Sequence, residues 1–349
     1  MDIYIDSAAS ALKSESVIRA QTAFLQNDYA NAGRGTCARA ARTDSAIENV
    51  RRTVAEFINA RPDQIVFTSG TTDGMNRIAR MIDNIKVILV SDIDHHSARL
   101  PFKKYKNIEL QLDDNFNYCE NNDFSGADAI VITAMSNVMG TAQDVKKIIT
   151  AARKKNPNII TIVDAAQYVV HAPIDALDWD PDFLCFSGHK IGSDTGVGVM
   201  YIKDPNKWTS DNVGGGQFEA TGPAKFEAGT LPLTQIVGLG TAIDEMRNAK
   251  CEARNLLKYL RAELSKIGRI KFISPPDAHV LTFTIDGMHY LDFGAMMGAR
   301  GVCLRAGNMC ASWFFARLGI DGASRISVGP WNTMDEMEQI IKIIKDILK

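Results

Sequence analysis

The chain has 349 residues, of which 46% are hydrophobic and 23% charged, and its formal net charge is -2. This length favours two domains. The near-neutral charge gives no electrostatic reason to expect a nucleic acid or an anionic membrane as a partner, and no apolar run approaches the roughly 20 residues that span a bilayer. The first residues have neither the basic start nor the apolar core of a signal peptide, so we expect a cytoplasmic protein.

Short apolar, β-branched runs alternate with amphipathic helical patterns through the first two thirds of the chain. The predicted strands are Gln64–Thr68, Lys86–Ser91, Asp128–Ala134, Ile159–Asp164, Asp182–Ser187 and Val197–Ile202, and the clearest helices are Thr72–Ile82 and Val145–Asn156. Such alternation predicts an α/β fold with a mostly parallel sheet covered by helices. Ligands in these sheets bind beyond the carboxyl ends of the strands.

The pattern changes after about Gly240, which predicts a second, smaller α+β domain. Its predicted elements are a long helical stretch from Thr241 to about Ile267, a strand Ala278–Ile285, a helix Leu291–Ala299, a strand Arg325–Val328 and a helix Met334–Leu348. We therefore expect a large domain over residues 12–240. Residues 1–11 and 241–349 are expected to form the small domain.

The six cysteines are Cys37, Cys119, Cys185, Cys251, Cys303 and Cys310. None forms a CxxC pair, so we expect neither a zinc site nor a thioredoxin-type redox site. A free cysteine is most often a buried small hydrophobic residue, and we expect this of four or five of the six, with Cys310 as the exception.

Four polar segments follow predicted strands: Ser69-Gly70-Thr71-Thr72, Asp94-His95-His96, Asp164-Ala165-Ala166-Gln167 and Ser187-Gly188-His189-Lys190. Each alone has an ordinary explanation, such as a helix cap, a polar loop or a surface lysine. Together they fit a pyridoxal phosphate site. A lysine can carry the aldehyde, a carboxylate can keep the pyridine nitrogen protonated, and a hydroxyl-rich helix N-terminus can hold the phosphate.

Further motifs occur in the same chain order and extend the pattern. They are Tyr4-Ile5-Asp6-Ser7-Ala8-Ala9-Ser10, Phe57-Ile58-Asn59-Ala60, Ser136-Asn137-Val138-Met139-Gly140-Thr141, Phe226-Glu227-Ala228-Gly229-Thr230 and Arg305-Ala306-Gly307-Asn308-Met309-Cys310. With these, the chain resembles the fold-type I pyridoxal-phosphate enzymes of the class V aminotransferase family. Within that family it is similar to the group II, SufS-like cysteine desulfurases and selenocysteine lyases.

The resemblance implies pyridoxal 5'-phosphate as the cofactor and a role for each matching residue. Lys190 matches the Schiff-base lysine, Asp164 the partner of the pyridinium nitrogen and His95 the ring that stacks on the cofactor. Gln167 matches the side chain near the ring hydroxyl, and Asn137 matches an asparagine close to the cofactor and substrate.

Phosphate ligands and a shared site are implied in the same way. Thr71, Thr72, Ser187 and His189 match phosphate ligands. Thr230 matches a residue that reaches the phosphate from the other subunit, which implies a homodimer.

The substrate side of the site is implied by the C-terminal motifs. Arg325 matches the arginine that binds the substrate carboxylate, and Arg305 and Arg34 are expected near the substrate. Arg305, Gly307 and Cys310 satisfy the pattern Arg-x-Gly-x-x-Cys, in which the thiol takes sulfur from L-cysteine. The implied products are L-alanine and a persulfide on Cys310, with Lys190 and His95 moving protons.

Several positions depart from the family pattern, and other readings of the chain remain open. Gly33, Cys37, Asn308 and Met309 stand where the family usually has histidines. The sulfur acceptor, any activator protein and the preference for cysteine over selenocysteine are therefore open. The alternatives are a selenocysteine lyase, a cysteine C–S lyase, an aminotransferase or an inactive scaffold paralogue. A dinucleotide-binding enzyme is not expected, because no GxGxxG motif follows the first strand.

Overall fold

The structure is a computed structural model that describes residues 2–33, 35–119, 121–248 and 253–349. Its strands are β1 (Ile3–Tyr4), β2 (Ile65–Thr68), β3 (Val87–Val90), β4 (Lys106–Glu109), β5 (Ala129–Thr133), β6 (Ile160–Asp164), β7 (Phe183–Ser187), β8 (Gly198–Ile202), β9 (Ile270–Phe272), β10 (Leu281–Ile285), β11 (Val302–Cys303), β12 (Arg305–Gly307) and β13 (Ala323–Ile326). Its α-helices are α1 (Glu15–Asn27), α2 (Ala38–Phe57), α3 (Thr71–Met81), α4 (His96–Arg99), α5 (Val145–Lys155), α6 (Tyr168–His171), α7 (Ala176–Trp179), α8 (Leu233–Asn248), α9 (Ala253–Leu264), α10 (Tyr290–Gly298), α11 (Ser312–Arg317) and α12 (Met334–Ile347).

A seven-stranded sheet forms the centre of the molecule, in the order β2-β8-β7-β6-β5-β3-β4. All neighbours from β7 to β4 pair in parallel, whereas β8 is antiparallel to both β7 and β2. The expected mostly parallel mixed sheet is thus confirmed. The carboxyl ends of β2, β3, β5, β6 and β7 consequently meet at one edge.

Helices cover both faces of this sheet, which is why its central strands read as continuous apolar runs. On β5, Ile130 and Ile132 point to the face covered by α1, α2, α5 and α8. Ala129 and Val131 point to the opposite face, which is covered by α3. Alternate side chains of one strand therefore pack in two separate hydrophobic cores.

A smaller antiparallel sheet, in the order β12-β13-β10-β9, lies in the C-terminal part of the chain. Its core includes Leu260 of α9, Phe283 of β10, Phe293 of α10 and Ile340 of α12. Ile5 of the N-terminal segment is buried in the same core, and β1 pairs in parallel with β11. The first residues of the chain are thus packed against its last hundred.

The predicted helical stretch from Thr241 to about Ile267 differs most from the structure. Helix α8 begins earlier, at Leu233, and α9 ends at Leu264; residues 249–252 lie outside the described residues. Glycines obscured the start of α8 in the sequence, since glycine disfavours helices. An added Cβ at Gly238 would lie 2.4 Å from Gln21, and one at Gly240 would lie 2.7 Å from Val50. These glycines therefore allow α8 to pack closely on α1 and α2.

The expectation that the other cysteines are buried was wrong for most of those that the structure describes. Cys185 is buried, but Cys37 and Cys303 are exposed and Cys119 is half-buried. Cys251 lies outside the described residues. In the described ranges, no helix has the length and apolar character needed to cross a membrane.

Candidate active site

A cavity of about 600 Å³ opens at the carboxyl edge of the central sheet. The predicted site residues that line it are Thr71, Thr72, His95, Asn137, Asp164, Gln167, Ser187, His189, Lys190, Arg305, Cys310 and Arg325. Asp164 and Ser187 are the last residues of β6 and β7. The sheet topology thus brings together side chains that are far apart in the sequence.

Lys190 lies within this cavity and contacts the N-terminal segment. Its Nζ donates a hydrogen bond of 2.5 Å to the Ala8 carbonyl oxygen, which also accepts the Gln167 side-chain amide at 2.7 Å. Burial lowers the pKa of Lys190 to about 8, and the positive charge of Arg325 acts in the same direction. A large share of this amine is therefore neutral at moderately alkaline pH, as a nucleophilic lysine requires.

Asp164 is almost fully buried at the end of β6. Its carboxylate accepts the backbone N–H of Ala166 at 2.9 Å. Burial raises the pKa of Asp164, while that hydrogen bond and the charge of Lys190 oppose the shift. A buried carboxylate of this kind is suited to pairing with a cationic ring nitrogen.

His95 is fixed in orientation at the start of α4. Its Nδ1 accepts the backbone N–H of Ser97 at 3.1 Å, so we assign the ring proton to Nε2. Burial lowers the pKa of His95 to about 4, helped by the positive charge of Lys190. The imidazole is therefore neutral at physiological pH and presents a flat ring and one N–H to the cavity.

A buried polar network supports the turn that carries His95. Asp94 accepts hydrogen bonds from the backbone and hydroxyl groups of Ser91 and from the Thr133 hydroxyl, at 2.7–2.8 Å. Burial raises the pKa of Asp94 to about 6. The Tyr118 hydroxyl contacts Ser91 and accepts the Thr133 N–H. Sequence reasoning assigned no role to Asp94 or Tyr118.

The N-terminus of α3 forms the polar end of the cavity. The Thr71 N–H donates to the Ser187 hydroxyl at 2.8 Å, and the Thr71 and Ser187 hydroxyls lie 2.8 Å apart. The Thr72 hydroxyl lies 2.7 Å from the hydroxyl of Ser97. Gly70 precedes the helix with φ +146°, a conformation open to glycine. Helix amides and clustered hydroxyls together suit a phosphate group.

Three buried polar atoms at this cavity have no hydrogen-bond partner among the residues that the structure describes: Asn137 Oδ1, His189 Nδ1 and Arg325 Nε. Buried polar groups nearly always have partners. Orphaned atoms that surround one cavity therefore fit a polar ligand bound there. With Asp164 and the α3 N-terminus, these residues fit a phosphorylated pyridine.

Two arginines line the cavity wall formed by the small sheet. Arg325 is buried, and it donates to Asp6 at 2.8 Å and to the Asn137 carbonyl oxygen at 2.9 Å. Arg305 forms an ion pair with the same Asp6 carboxylate at 3.0 Å. Asp6 was part of a recognised motif, but the sequence suggested no role for it.

Cys310 lies in the cavity with its side chain exposed, on the segment between β12 and α11. Met309 and Cys310 have φ values of +51° and +54°, a region that non-glycine residues seldom adopt. The Asn308 side chain accepts the Cys310 N–H at 3.2 Å. The Asn137 side chain donates to the Met309 carbonyl oxygen, and the His96 N–H to that of Cys310, both at 2.8 Å. The thiol is thus held by a constrained turn.

The two residues that replace the family's histidines beside Cys310 have structural contacts of their own. Asn308 caps the turn through its amide oxygen. Met309 is buried in a hydrophobic cluster with Val138 and Phe314. These contacts fix the backbone of the turn to the body of the protein.

Thr230 and Arg34 are not brought to this cavity. Thr230 lines a separate cavity of about 530 Å³, whose wall includes Arg51 and Glu227. Those two side chains form a buried ion pair with N–O distances of 2.8 and 2.9 Å. Arg34 lies outside the described residues.

The profile of the aminotransferase class-V family matches residues 3–340 of this sequence. The chain belongs to the class V aminotransferase family. Among curated relatives, a cysteine desulfurase from Enterobacter sp. (strain 638) is 33% identical, with 99% of this chain and 93% of the relative covered. A cysteine desulfurase from Escherichia coli O127:H6 is 31% identical, with 97% and 91% covered.

Solved structures of the class V family share the architecture. The apo structure of a cysteine desulfurase from Thermococcus onnurineus NA1 matches with a TM-score of 0.94 and 26% identity, covering 99% of this chain and 94% of that one. The cysteine desulfurase CsdA from Escherichia coli, in its S-sulfonic acid form, matches with a TM-score of 0.89 and 29% identity, covering 99% and 94%. The fold-type I assignment is thereby confirmed, and family membership makes the protein a pyridoxal-phosphate-dependent enzyme.

Proposed function

We propose that the protein is a cysteine desulfurase that converts L-cysteine to L-alanine and takes the sulfur onto Cys310. The observation that carries the proposal is the exposed Cys310 thiol in the same cavity as Lys190 and the buried Arg325. A nucleophilic thiol, a partly neutral amine and a carboxylate-binding cation are the groups that this reaction needs. Similarity to two curated cysteine desulfurases supports it.

The cofactor in this proposal is pyridoxal 5'-phosphate, attached covalently to Lys190. Asp164 would pair with the ring nitrogen, His95 would stack on the ring and Gln167 would lie near the ring hydroxyl. The phosphate would be held by Thr71, Thr72, Ser187 and His189. When bound, the cofactor withdraws electrons from the substrate carbon.

The substrate carboxylate is oriented by Arg325 and Arg305, the two arginines of the cavity wall. Arg325 already donates from Nη1 and Nη2, but its buried Nε has no partner within the described part of the chain. Asn137 likewise has a free Oδ1. We propose that Arg325, together with Arg305 and Asn137, binds the amino acid so that its side-chain sulfur faces Cys310.

Sulfur transfer is a nucleophilic displacement at the substrate sulfur. The Cys310 thiolate attacks that sulfur, so that an S–S bond forms while the bond between sulfur and Cβ breaks. The electron pair of the broken bond stays with Cβ, which then takes up a proton. Lys190 accepts a proton as a neutral amine and returns it as an ammonium, and the neutral His95 ring assists as a hydrogen-bond donor through its Nε2–H. Return of protons to the carbon skeleton gives alanine and leaves a persulfide on Cys310.

The reaction is tested by incubating the purified holoenzyme with L-cysteine, with and without reductant, and measuring alanine, sulfide and pyruvate. We expect alanine, with sulfide released only on reduction, and we expect Cys310→Ala to abolish both. Cys303→Ala is the matched control, since Cys303 is also exposed and lies on the neighbouring β11. Pyruvate and free sulfide would instead indicate a C–S lyase. Undiminished sulfur release by Cys310→Ala would refute the proposal.

We further propose a homodimer in which Thr230 reaches the phosphate of the other subunit. The separate cavity around Thr230 supports this, as do Val213 and Phe218, which flank the lining residues Gly215 and Gly216 in the chain and whose exposures are 81% and 89%. Light scattering should give twice the chain mass, and Thr230→Ala should weaken cofactor binding. The large domain is proposed to comprise residues 12–240 and the small domain residues 1–11 and 241–349.

A further inference from the structure

His95 and His96 are neighbours in the sequence, but they contact different parts of the active site. His95 lines the cavity, where it is proposed to stack on the cofactor. His96 is the first residue of α4, and its backbone N–H donates to the Cys310 carbonyl oxygen at 2.8 Å. One short stretch of backbone therefore joins the proposed cofactor-stacking ring to the turn that carries the proposed nucleophile.

The His96 side chain makes a second contact with this turn. Its Nε2 lies 2.9 Å from the Ser312 hydroxyl, and the Ser312 backbone N–H donates to the same nitrogen at 3.4 Å. The Asn308 side-chain amide donates to the Ser312 hydroxyl at 3.4 Å, while its oxygen accepts the Cys310 N–H at 3.2 Å. A chain of hydrogen bonds thus runs from the His96 ring to the backbone of Cys310.

The Ser312 N–H decides the direction of these hydrogen bonds. Because an N–H can only donate, Nε2 of His96 must accept, and we assign the ring proton to Nδ1. The Ser312 hydroxyl then donates to Nε2 and accepts from Asn308. Burial lowers the pKa of His96, so the ring is neutral and able to accept at physiological pH.

Aromatic packing orients the His96 ring. It meets the Trp313 ring edge to face, with centroids 5.3 Å apart and an interplanar angle of 82°. The guanidinium of the buried Arg99 lies 4.2 Å from the centroid of the same Trp313 ring. These contacts favour one orientation of each ring. The acceptor Nε2 is therefore presented to Ser312 in a fixed direction.

The turn needs such support, because the left-handed φ values of Met309 and Cys310 persist only where the surroundings hold them. Met309 is anchored by burial, whereas Asn308, Cys310 and Ser312 are exposed. Polar contacts must therefore hold the exposed part of the turn, and the His96 side chain connects that part to α4.

We propose that His96 is a positioning residue for sulfur transfer, which acts through Ser312 and Asn308 to place the Cys310 thiol. The proposal rests on the proposed function, because Cys310 must receive the sulfur. A displacement of about 1 Å can slow a reaction about a hundredfold. Loss of the His96 acceptor should therefore slow the transfer to Cys310 and leave the binding of the amino acid nearly unchanged.

The test compares variants of the holoenzyme. His96→Phe keeps a ring against Trp313 but has no acceptor, His96→Gln restores an acceptor oxygen, and Ser312→Ala removes the middle of the chain of hydrogen bonds. Ser265→Ala is the matched control, since it removes another exposed serine hydroxyl, one that bonds to Ala262. After rapid mixing with L-cysteine and quenching with iodoacetamide, mass spectrometry measures persulfide on the Cys310 peptide. The change in cofactor absorbance measures binding of L-alanine.

We expect His96→Phe and Ser312→Ala to form the persulfide about tenfold more slowly than wild type, with little change in L-alanine affinity. His96→Gln should recover most of the lost rate. The double variant of His96→Phe and Ser312→Ala should be no slower than either single variant, because both break the same chain of contacts. In the cofactor-free protein, hydrogen exchange of residues 308–312 should be faster in His96→Phe and return to the wild-type rate in His96→Gln.

A merely structural role for His96 would lower rate and binding together, or leave His96→Gln as slow as His96→Phe, and either result would overturn the proposal. Additive losses in the double variant would do the same. Should His96→Phe not fold, Ser312→Ala decides, and a wild-type rate in that variant would overturn the proposal. Absence of persulfide in the wild type would contradict the proposed function and this role together, whereas normal persulfide formation in every variant would overturn this role alone.

Discussion

The amine of Lys190 should titrate far below an ordinary lysine. Burial lowers its pKa from 10.5 to about 8; Arg325 adds to the shift, and Asp164 and Asp6 oppose it. At pH 7 about one tenth of the amine would then be neutral, compared with about one part in 3,000 for an unperturbed lysine. The shift therefore makes roughly 300 times more of the nucleophilic form available.

Trace acetylation of the cofactor-free protein measures this pKa directly. Labelling with limiting acetic anhydride between pH 6 and 11, with mass spectrometry of the Lys190 peptide, gives the titration curve. The exposed Lys342 serves as the internal standard. We expect a midpoint near 8, moved upward by Arg325→Gln and downward by Asp164→Asn. A wild-type midpoint near 10.5, or two variants that shift in the same direction, would refute the electrostatic reasoning.

Three further predictions concern other buried contacts. Arg51→Met should lower the free energy of unfolding by about 3–5 kcal/mol, because it leaves the Glu227 carboxylate charged and unpaired. The double variant with Glu227→Gln should recover most of that loss. Urea unfolding measures both variants, and losses that simply add in the double variant would contradict this prediction. Burial lowers the pKa of His171 to about 3, so its neutral form stabilises the fold above pH 6.5 and this contribution is lost as the pH falls. His171→Gln should therefore flatten the decline in stability between pH 6 and 4 by up to about 1.4 kcal/mol per pH unit, and parallel curves would disprove this. Met309→Ala should lower the free energy of unfolding by about 2–4 kcal/mol, because a buried side chain is truncated. It should also slow sulfur transfer more than it weakens L-alanine binding, because the turn that carries Cys310 loses its buried contact. Equal losses of rate and binding would argue against this prediction.

The central sheet could be predicted because most of its strands have a recognisable local sequence pattern. β5 and β6 are mostly apolar, β-branched runs, and each ends in a polar residue at the ligand-binding edge, Thr133 and Asp164. The edge strand β4 escaped prediction because Lys106 and Glu109 interrupt any apolar pattern. An exposed edge benefits from such charges, which discourage pairing with other chains.

The role of Asp6 could not be predicted from a local sequence pattern, because it depends on contact with Arg325, which lies 319 residues away in the sequence. Nothing local marks an aspartate after a short strand as the partner of two arginines. Asn308 and Met309 posed a related difficulty. Both looked like losses of the family's histidines, although one caps the turn and the other anchors it.

The proposed cofactor end and the proposed substrate end of the cavity depend on different features of the fold. The cofactor end depends on parallel strands whose carboxyl ends meet at one edge, so each of its groups follows a recognisable strand. The substrate end depends on the register of β12 against β13, which sets Arg305 opposite Arg325. A one-residue slip of that ladder would turn one guanidinium to the other face of the sheet. Because Cys310 lies only three residues after the end of β12, the same slip would displace the thiol as well. In the proposed function, the choice of reaction would thus depend on one short strand pair, and binding of the cofactor on the large sheet.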